Sequence, residues 1–122
     1  MLTTSPVEGT NVVTIRLSGG VTTDEEQAAK RQLAEVAAAH GGTARVLLDY
    51  DGVDLAEVEP KAAWEDLKGA KLLDDVDRAA VVGAPGALEA LASAGAAVTS
   101  LEVRTFDAGR RDEALAWLTS KA

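Results

Sequence analysis

Arg78-Ala79-Ala80-Val81-Val82-Gly83 decides the architecture of this 122-residue chain. An arginine, four small or β-branched apolar residues and a glycine read as a short strand ended by a turn. The flanking segments continue the pattern. Pro85 to Ala94 reads as a short helix, Glu102 to Phe106 as a second strand, and Glu113 to Leu118 as a closing helix. Strand, helix, strand, helix at this spacing specifies a small α/β domain with a largely parallel sheet. In such a sheet a site belongs where strand ends face helix starts.

Working back toward the N-terminus, Arg45 to Tyr50 carries three consecutive apolar residues, Val46, Leu47 and Leu48, the signature of a central strand. Before it, Thr22…Glu25 and Thr23…Glu26 each fit a capping box, which opens a helix by satisfying backbone N–H groups that lack partners. That helix runs to about His40, with Ala29, Leu33, Val36, Ala37 and His40 on one face and Gly41-Gly42 as its stop. Asn11 to Leu17 alternates β-branched and polar residues, a strand near an edge, and Leu2 to Glu8 is a weaker strand joined to it by a turn at Gly9-Thr10-Asn11. After the central strand an acidic loop extends to Glu59. Pro60 then suits the first position of a helix that carries Ala63, Trp64, Leu67 and Ala70 inward and ends near Leu73. The third helix places Leu88, Leu91, Ala92 and Gly95 on one face, and the fourth places Ala114, Trp117, Leu118 and Lys121. Residues 1–122 therefore read as one α/β domain: a small mixed, mostly parallel sheet of four to five strands flanked by four helices.

Composition narrows the function. The core must be built from Ala, Val and Leu, because aromatic residues make up only 3% of the chain. The absence of cysteine excludes disulfides, thiolate metal sites and thiol catalysis. No apolar run approaches the roughly 20 residues of a membrane span. Met1 to Gly20 lacks the basic start and apolar run of a signal peptide, so a cytoplasmic location is expected. The formal charge is −8, and the stretch from Asp49 to Asp77 carries −7 of it, with ten acids against Lys61, Lys68 and Lys71. A phosphate backbone or an anionic lipid surface would be repelled there, so neither nucleic acid nor membrane is an expected partner. The simplest role of this stretch is a solvated acidic face.

These elements together resemble the SpoIIAA-like family of STAS-type domains. The resemblance rests on Asn11-Val12-Val13 with Ser18-Gly19, on Arg45-Val46-Leu47-Leu48-Asp49-Tyr50 and on Trp64-Glu65-Asp66-Leu67-Lys68. It continues through Arg78 to Gly83, Glu102-Val103-Arg104-Thr105-Phe106 and Ala114-Leu115-Ala116-Trp117-Leu118. It implies a sheet of four or five strands with four helices on its faces, and no established catalysis. Domains of this family are similar in fold to CRAL-TRIO lipid-exchange domains, in which a mobile helix covers an apolar pocket. The counterpart of that lid here is the helix bearing Trp64. STAS relatives that switch partners are phosphorylated on a serine at the start of the helix after the central strand. This chain departs from that pattern, since residues 53–63 contain no serine or threonine.

The expected function is thus a non-enzymatic binding or regulatory module for a partner protein or a small apolar ligand. Tyr50, Trp64, Leu67 and Lys71 supply the contacts, no cofactor or metal is expected, and a homodimer would bury the exposed sheet edge. The alternative is enzymatic. Asp49-Tyr50-Asp51-Gly52 at the end of an apolar strand also resembles the first motif of haloacid-dehalogenase-type phosphotransferases, with Asp49 as nucleophile, Asp51 as acid/base and magnesium between them. The plainer reading of Asp49, Asp51 and Gly52 is a turn at a strand end. Asp49, Asp51, Asp54, Glu57 and Glu59 lack the spacing of a calcium loop. Trp117 reads as a core anchor, and His40 as a residue at a helix end beside the dipole. Gly83-Ala84-Pro85-Gly86 reads as a strand-to-helix loop without a dinucleotide fingerprint.

Overall fold

Val46-Leu47-Leu48 has no polar side to turn toward water, so its strand must lie inside a sheet covered on both faces. A computed structural model of the protein, which describes residues 2–17, 22–50, 76–83 and 102–120, places it there. The strands are β1 (Leu2–Pro6), β2 (Val12–Leu17), β3 (Ala44–Asp49), β4 (Val76–Val82) and β5 (Glu102–Phe106), hydrogen-bonded in that order with β3 in the middle. β1 pairs with β2 antiparallel, and the three other pairings are parallel. The mixed, mostly parallel sheet expected from the order of elements is present. Two helices lie among the described residues, α1 (Thr23–Ala39) and α2 (Arg111–Thr119). The helices expected over 60–73 and 85–94, and the acidic loop at 51–59, lie outside the described residues.

Local chemistry sets the boundaries. The β1–β2 turn closes through the Val7 N–H donating to the Val12 carbonyl at 2.8 Å, with Gly9 at φ 79°, a conformation costly for any residue with a Cβ. Thr10 Oγ1 stitches the same turn, donating to the Val7 carbonyl at 2.8 Å and accepting from the Val12 N–H at 3.1 Å. α1 opens on the expected capping box. The Glu25 N–H donates to Thr22 Oγ1 at 3.2 Å, and the Thr22 N–H donates to Glu25 Oε1 at 3.1 Å. Glu25 also accepts the Leu2 N–H at 2.7 Å, so the cap ties the helix start to β1. These backbone donors, Leu2 first and Thr22 second, hold the Glu25 carboxyl below its ordinary pKa. At the other end the Gly42 N–H donates to the Ala37 carbonyl at 2.7 Å, and Gly42 sits at φ 99°.

Register divides the core. Val12, Leu47, Ala80 and Val82 share one face of the sheet and pack with Ala114 and Leu118 of α2, all essentially inaccessible. The alternate residues Val13, Ile15, Val46 and Leu48 are equally buried on the opposite face, where α1 lies along β1 to β3. β2 lies one strand in from the edge, in keeping with its reading as a strand near an edge, and Val12 through Ile15 are all buried because both helices reach it. Two local expectations are corrected here. His40 is exposed; it is the C-cap of α1 and its non-helical backbone leaves the apolar face that ends at Ala37. Trp117 is half-buried at the rim of the α2 face, while Ala114 and Leu118 are the residues that fill it.

Nothing basic occupies the last turn of α2, although its terminal carbonyls have no helical partners. Two strand arginines supply them. Arg45 Nη1 donates to the carbonyls of Leu118 at 2.6 Å and Ser120 at 2.8 Å. Arg78 Nη1 donates to the Trp117 carbonyl at 3.0 Å, the Ser120 carbonyl at 3.2 Å and Ser120 Oγ at 2.8 Å. Arg45 and Arg78 are partners in the β3–β4 register, so pairing of the strands builds a two-pronged cationic cap for a helix end that carries partial negative charge.

Candidate functional site

Because α2 ends over the starts of β3 and β4, its N-terminus lies at their C-terminal edge, the edge where ligands bind in open α/β sheets. Asp49, the last residue of β3, is 6% exposed there. Arg16 of β2, its partner in register, donates from Nη1 to Asp49 Oδ2 at 3.0 Å. Arg111, the first residue of α2, approaches the same oxygen at 4.0 Å and donates from Nη2 to Thr14 Oγ1 at 3.3 Å. Both arginines keep about half of their side-chain surface in water, at 47% and 46%. The edge therefore holds one buried carboxylate beneath two half-exposed guanidiniums.

Tyr50 follows directly. Its N–H donates to the Val82 carbonyl at 2.8 Å, which extends the β3–β4 ladder by one bond. The residue is 3% exposed, and among the described residues its hydroxyl has no hydrogen-bond partner. Desolvation by burial pushes the phenol up to about 12, so it is a neutral donor throughout the physiological range. Asp49 faces α2, and strand alternation sends Tyr50 to the opposite face. Of the four expected contact residues the described structure places Tyr50 alone at this edge; Trp64, Leu67 and Lys71 lie outside the described residues. Asp51, the second carboxylate of the phosphotransferase alternative, also lies outside them.

Arg16, Thr14 and Arg111 were not singled out from the sequence. Arg16 and Arg111 stand 33 and 62 positions from Asp49, so only strand register and the docking of α2 unite them. The usable signal is Arg16, the lone charged residue in the strand Val12–Leu17.

At the far end of the sheet a polar groove of about 340 Å³ is lined by Gly9, Thr10, Asn11, His40 and Thr119. Its hydroxyls are committed locally, Thr119 Oγ1 donating to the Leu115 carbonyl at 3.0 Å, and the Asn11 amide donates to the Thr43 carbonyl at 3.3 Å. Along β5, Trp117 lies 6.2 Å from the Phe106 ring, with the guanidiniums of Arg78 and Arg104 over it at 5.3 and 5.4 Å. Among the described residues no group of three acidic or histidine side chains forms a metal cluster, and no helix is long and apolar enough to cross a membrane.

Comparison with solved structures finds similarity to an uncharacterized protein of the DUF3478 family with a SpoIIAA-like fold from Shewanella loihica PV-4. The two are 22% identical, with a TM-score of 0.60 over 97% of this chain and 92% of that one. No curated protein matches the sequence. A family model described as SpoIIAA-like matches residues 12–119, from the first residue of β2 to the last of α2. The agreement of that match with the observed strand order establishes that the chain belongs to the SpoIIAA-like family.

Proposed function

We propose that the protein is a non-enzymatic binding module, active as a homodimer, that takes a small apolar ligand or a partner protein at the C-terminal edge of its sheet. The SpoIIAA-like fold supports a binding or regulatory role in general. The observation that carries the reading is Tyr50: a buried, neutral phenol with no hydrogen-bond partner among the described residues, at the strand end from which the segment bearing Trp64, Leu67 and Lys71 departs. Buried polar groups in folded proteins are nearly always hydrogen-bonded, so this phenol gives the edge a donor that a bound molecule can accept. In this reading the Trp64 helix covers an apolar contact, with Trp64 and Leu67 supplying surface and Lys71 a cationic rim. The phosphotransferase alternative gains no support from the geometry. Its nucleophile, Asp49, is 6% exposed and hydrogen-bonded to Arg16, where attack on phosphorus needs an open approach.

The test is titration with anilinonaphthalene sulfonate, read by probe fluorescence, on the wild-type chain and on Trp64→Ala and Tyr50→Phe. The wild type binds the probe, Trp64→Ala weakens binding by about tenfold, a loss of roughly 1.4 kcal/mol, and Tyr50→Phe alters it. If Trp64→Ala leaves probe binding, self-association and intrinsic fluorescence response all unchanged, that helix has no part in the site.

A further inference from the structure

Among the described residues no segment pairs with the outer edge of β5, the last strand of the sheet. The Gly83 N–H donates to the Phe106 carbonyl at 3.0 Å, so Phe106 turns its backbone groups toward β4. Strand alternation then turns those of Arg104 and Glu102 the same way, and points the N–H and C=O of Val103 and Thr105 outward. No proline interrupts β5, so this edge can add a strand. β1, at the opposite edge, is closed by Pro6 and by the bond from the Leu2 N–H to Glu25.

We propose that β5 is the dimer edge, pairing antiparallel with β5 of a second copy about a twofold axis through Val103. The proposal deepens the homodimer reading above and rests on it. Charge selects the register. Glu102 and Arg104 lie two residues apart on one face. With Val103 opposite Val103 of the second copy, each Glu102 meets the second copy's Arg104. A shift that centres the axis on Arg104 instead sets two guanidiniums against each other. The backbone agrees with this choice. The outward groups of Val103 make the central position a hydrogen-bonded pair, which leaves Glu102 and Arg104 in the non-hydrogen-bonded positions where cross-strand side chains come closest. Both charges are suited to the contact. Arg104 is exposed, stacks over Trp117 and has no ion pair among the described residues. Glu102 keeps 65% of its side-chain surface in water while Oε2 pairs with Arg78 at 3.2 Å. The two-fold arrangement uses the same patch on both copies, as a closed dimer requires.

Analytical ultracentrifugation of the full chain tests this with wild type, Arg104→Glu, Glu102→Arg and an equimolar mixture of the two variants. The wild type self-associates. Each variant alone sets like charges opposite each other twice, and its dissociation constant rises about tenfold or more. The mixture restores both opposite-charge pairs and recovers association. Wild-type amide exchange, which needs no substitution, shows protection at Val103 and Thr105 that grows with protein concentration. A wild-type dimer that neither variant weakens, without protection at those amides, overturns the β5 edge and leaves the homodimer reading standing. A wild type that stays monomeric at every concentration overturns both.

Discussion

Arg78→Met should destabilise the protein by about 2 kcal/mol, and the structure sets that size. Methionine keeps most of the aliphatic stem and removes the guanidinium. The lost bonds run from Nη1 to the carbonyls of Trp117 and Ser120 and to Ser120 Oγ. They cannot be summed at full value. The Trp117 carbonyl still accepts from Ser120 Oγ at 2.8 Å, and the Ser120 carbonyl still accepts from Arg45 at 2.8 Å. Glu102, mostly exposed, returns its charge to water at little cost. Trp117 loses one guanidinium from its ring but keeps that of Arg104 at 5.4 Å, so what remains is close to one charge-assisted hydrogen bond, worth roughly 1.5–3 kcal/mol. Arg45→Met alone leaves Leu118 short of a donor and should cost a similar amount. Because both arginines serve the Ser120 carbonyl, the double variant should lose more than the sum of the singles, by about 1 kcal/mol. Urea unfolding midpoints at constant slope measure all three. An Arg78→Met variant within about 0.5 kcal/mol of wild type, a range typical of plain surface changes, would show that the arginine pair does not cap α2.

Three further outcomes follow from the same geometry. Tyr50 is the only tyrosine in the sequence, so phenolate absorbance reports it alone; it should titrate near 12, above the ordinary 10. The folded state then holds a proton that the unfolded chain releases, so stability is full below about pH 10 and falls as pH rises toward 12, while a Tyr50→Phe variant lacks that decline. Leu118→Ala opens a cavity among Val12, Leu47, Ala80 and Val82 and should cost about 2–5 kcal/mol in a denaturant titration. Thr22→Ala removes the capping box and should cost about 1 kcal/mol, with amide exchange rising first at Glu25 and Glu26.

The elements legible from sequence were those governed by local chemistry. β3 and β4 showed as consecutive apolar runs, the β1–β2 turn as Gly9-Thr10-Asn11, and the start of α1 as Thr22…Glu25; each owes its form to neighbours in the chain. The position of Tyr50 at the end of the central strand was legible in the same way, and its N–H extends the β3–β4 ladder. What stayed hidden depends on register. Arg45 and Arg78 look like solvated strand ends until β3 and β4 pair and α2 ends over them. Arg16, Thr14 and Arg111 surround Asp49 only once β2 lies beside β3 and α2 begins at their common edge. Trp117 read as a core anchor; it packs half-buried against the edge of the α2 core, with two guanidiniums over its ring.

Native mass spectrometry of freshly purified wild type and Trp64→Ala addresses the binding role itself. A family member that seats an apolar molecule beside Tyr50 should fly as the 12.6 kDa chain, or its dimer, with added mass that the variant loses. A wild-type spectrum of bare chain alone, unchanged after incubation with anilinonaphthalene sulfonate, would contradict that role.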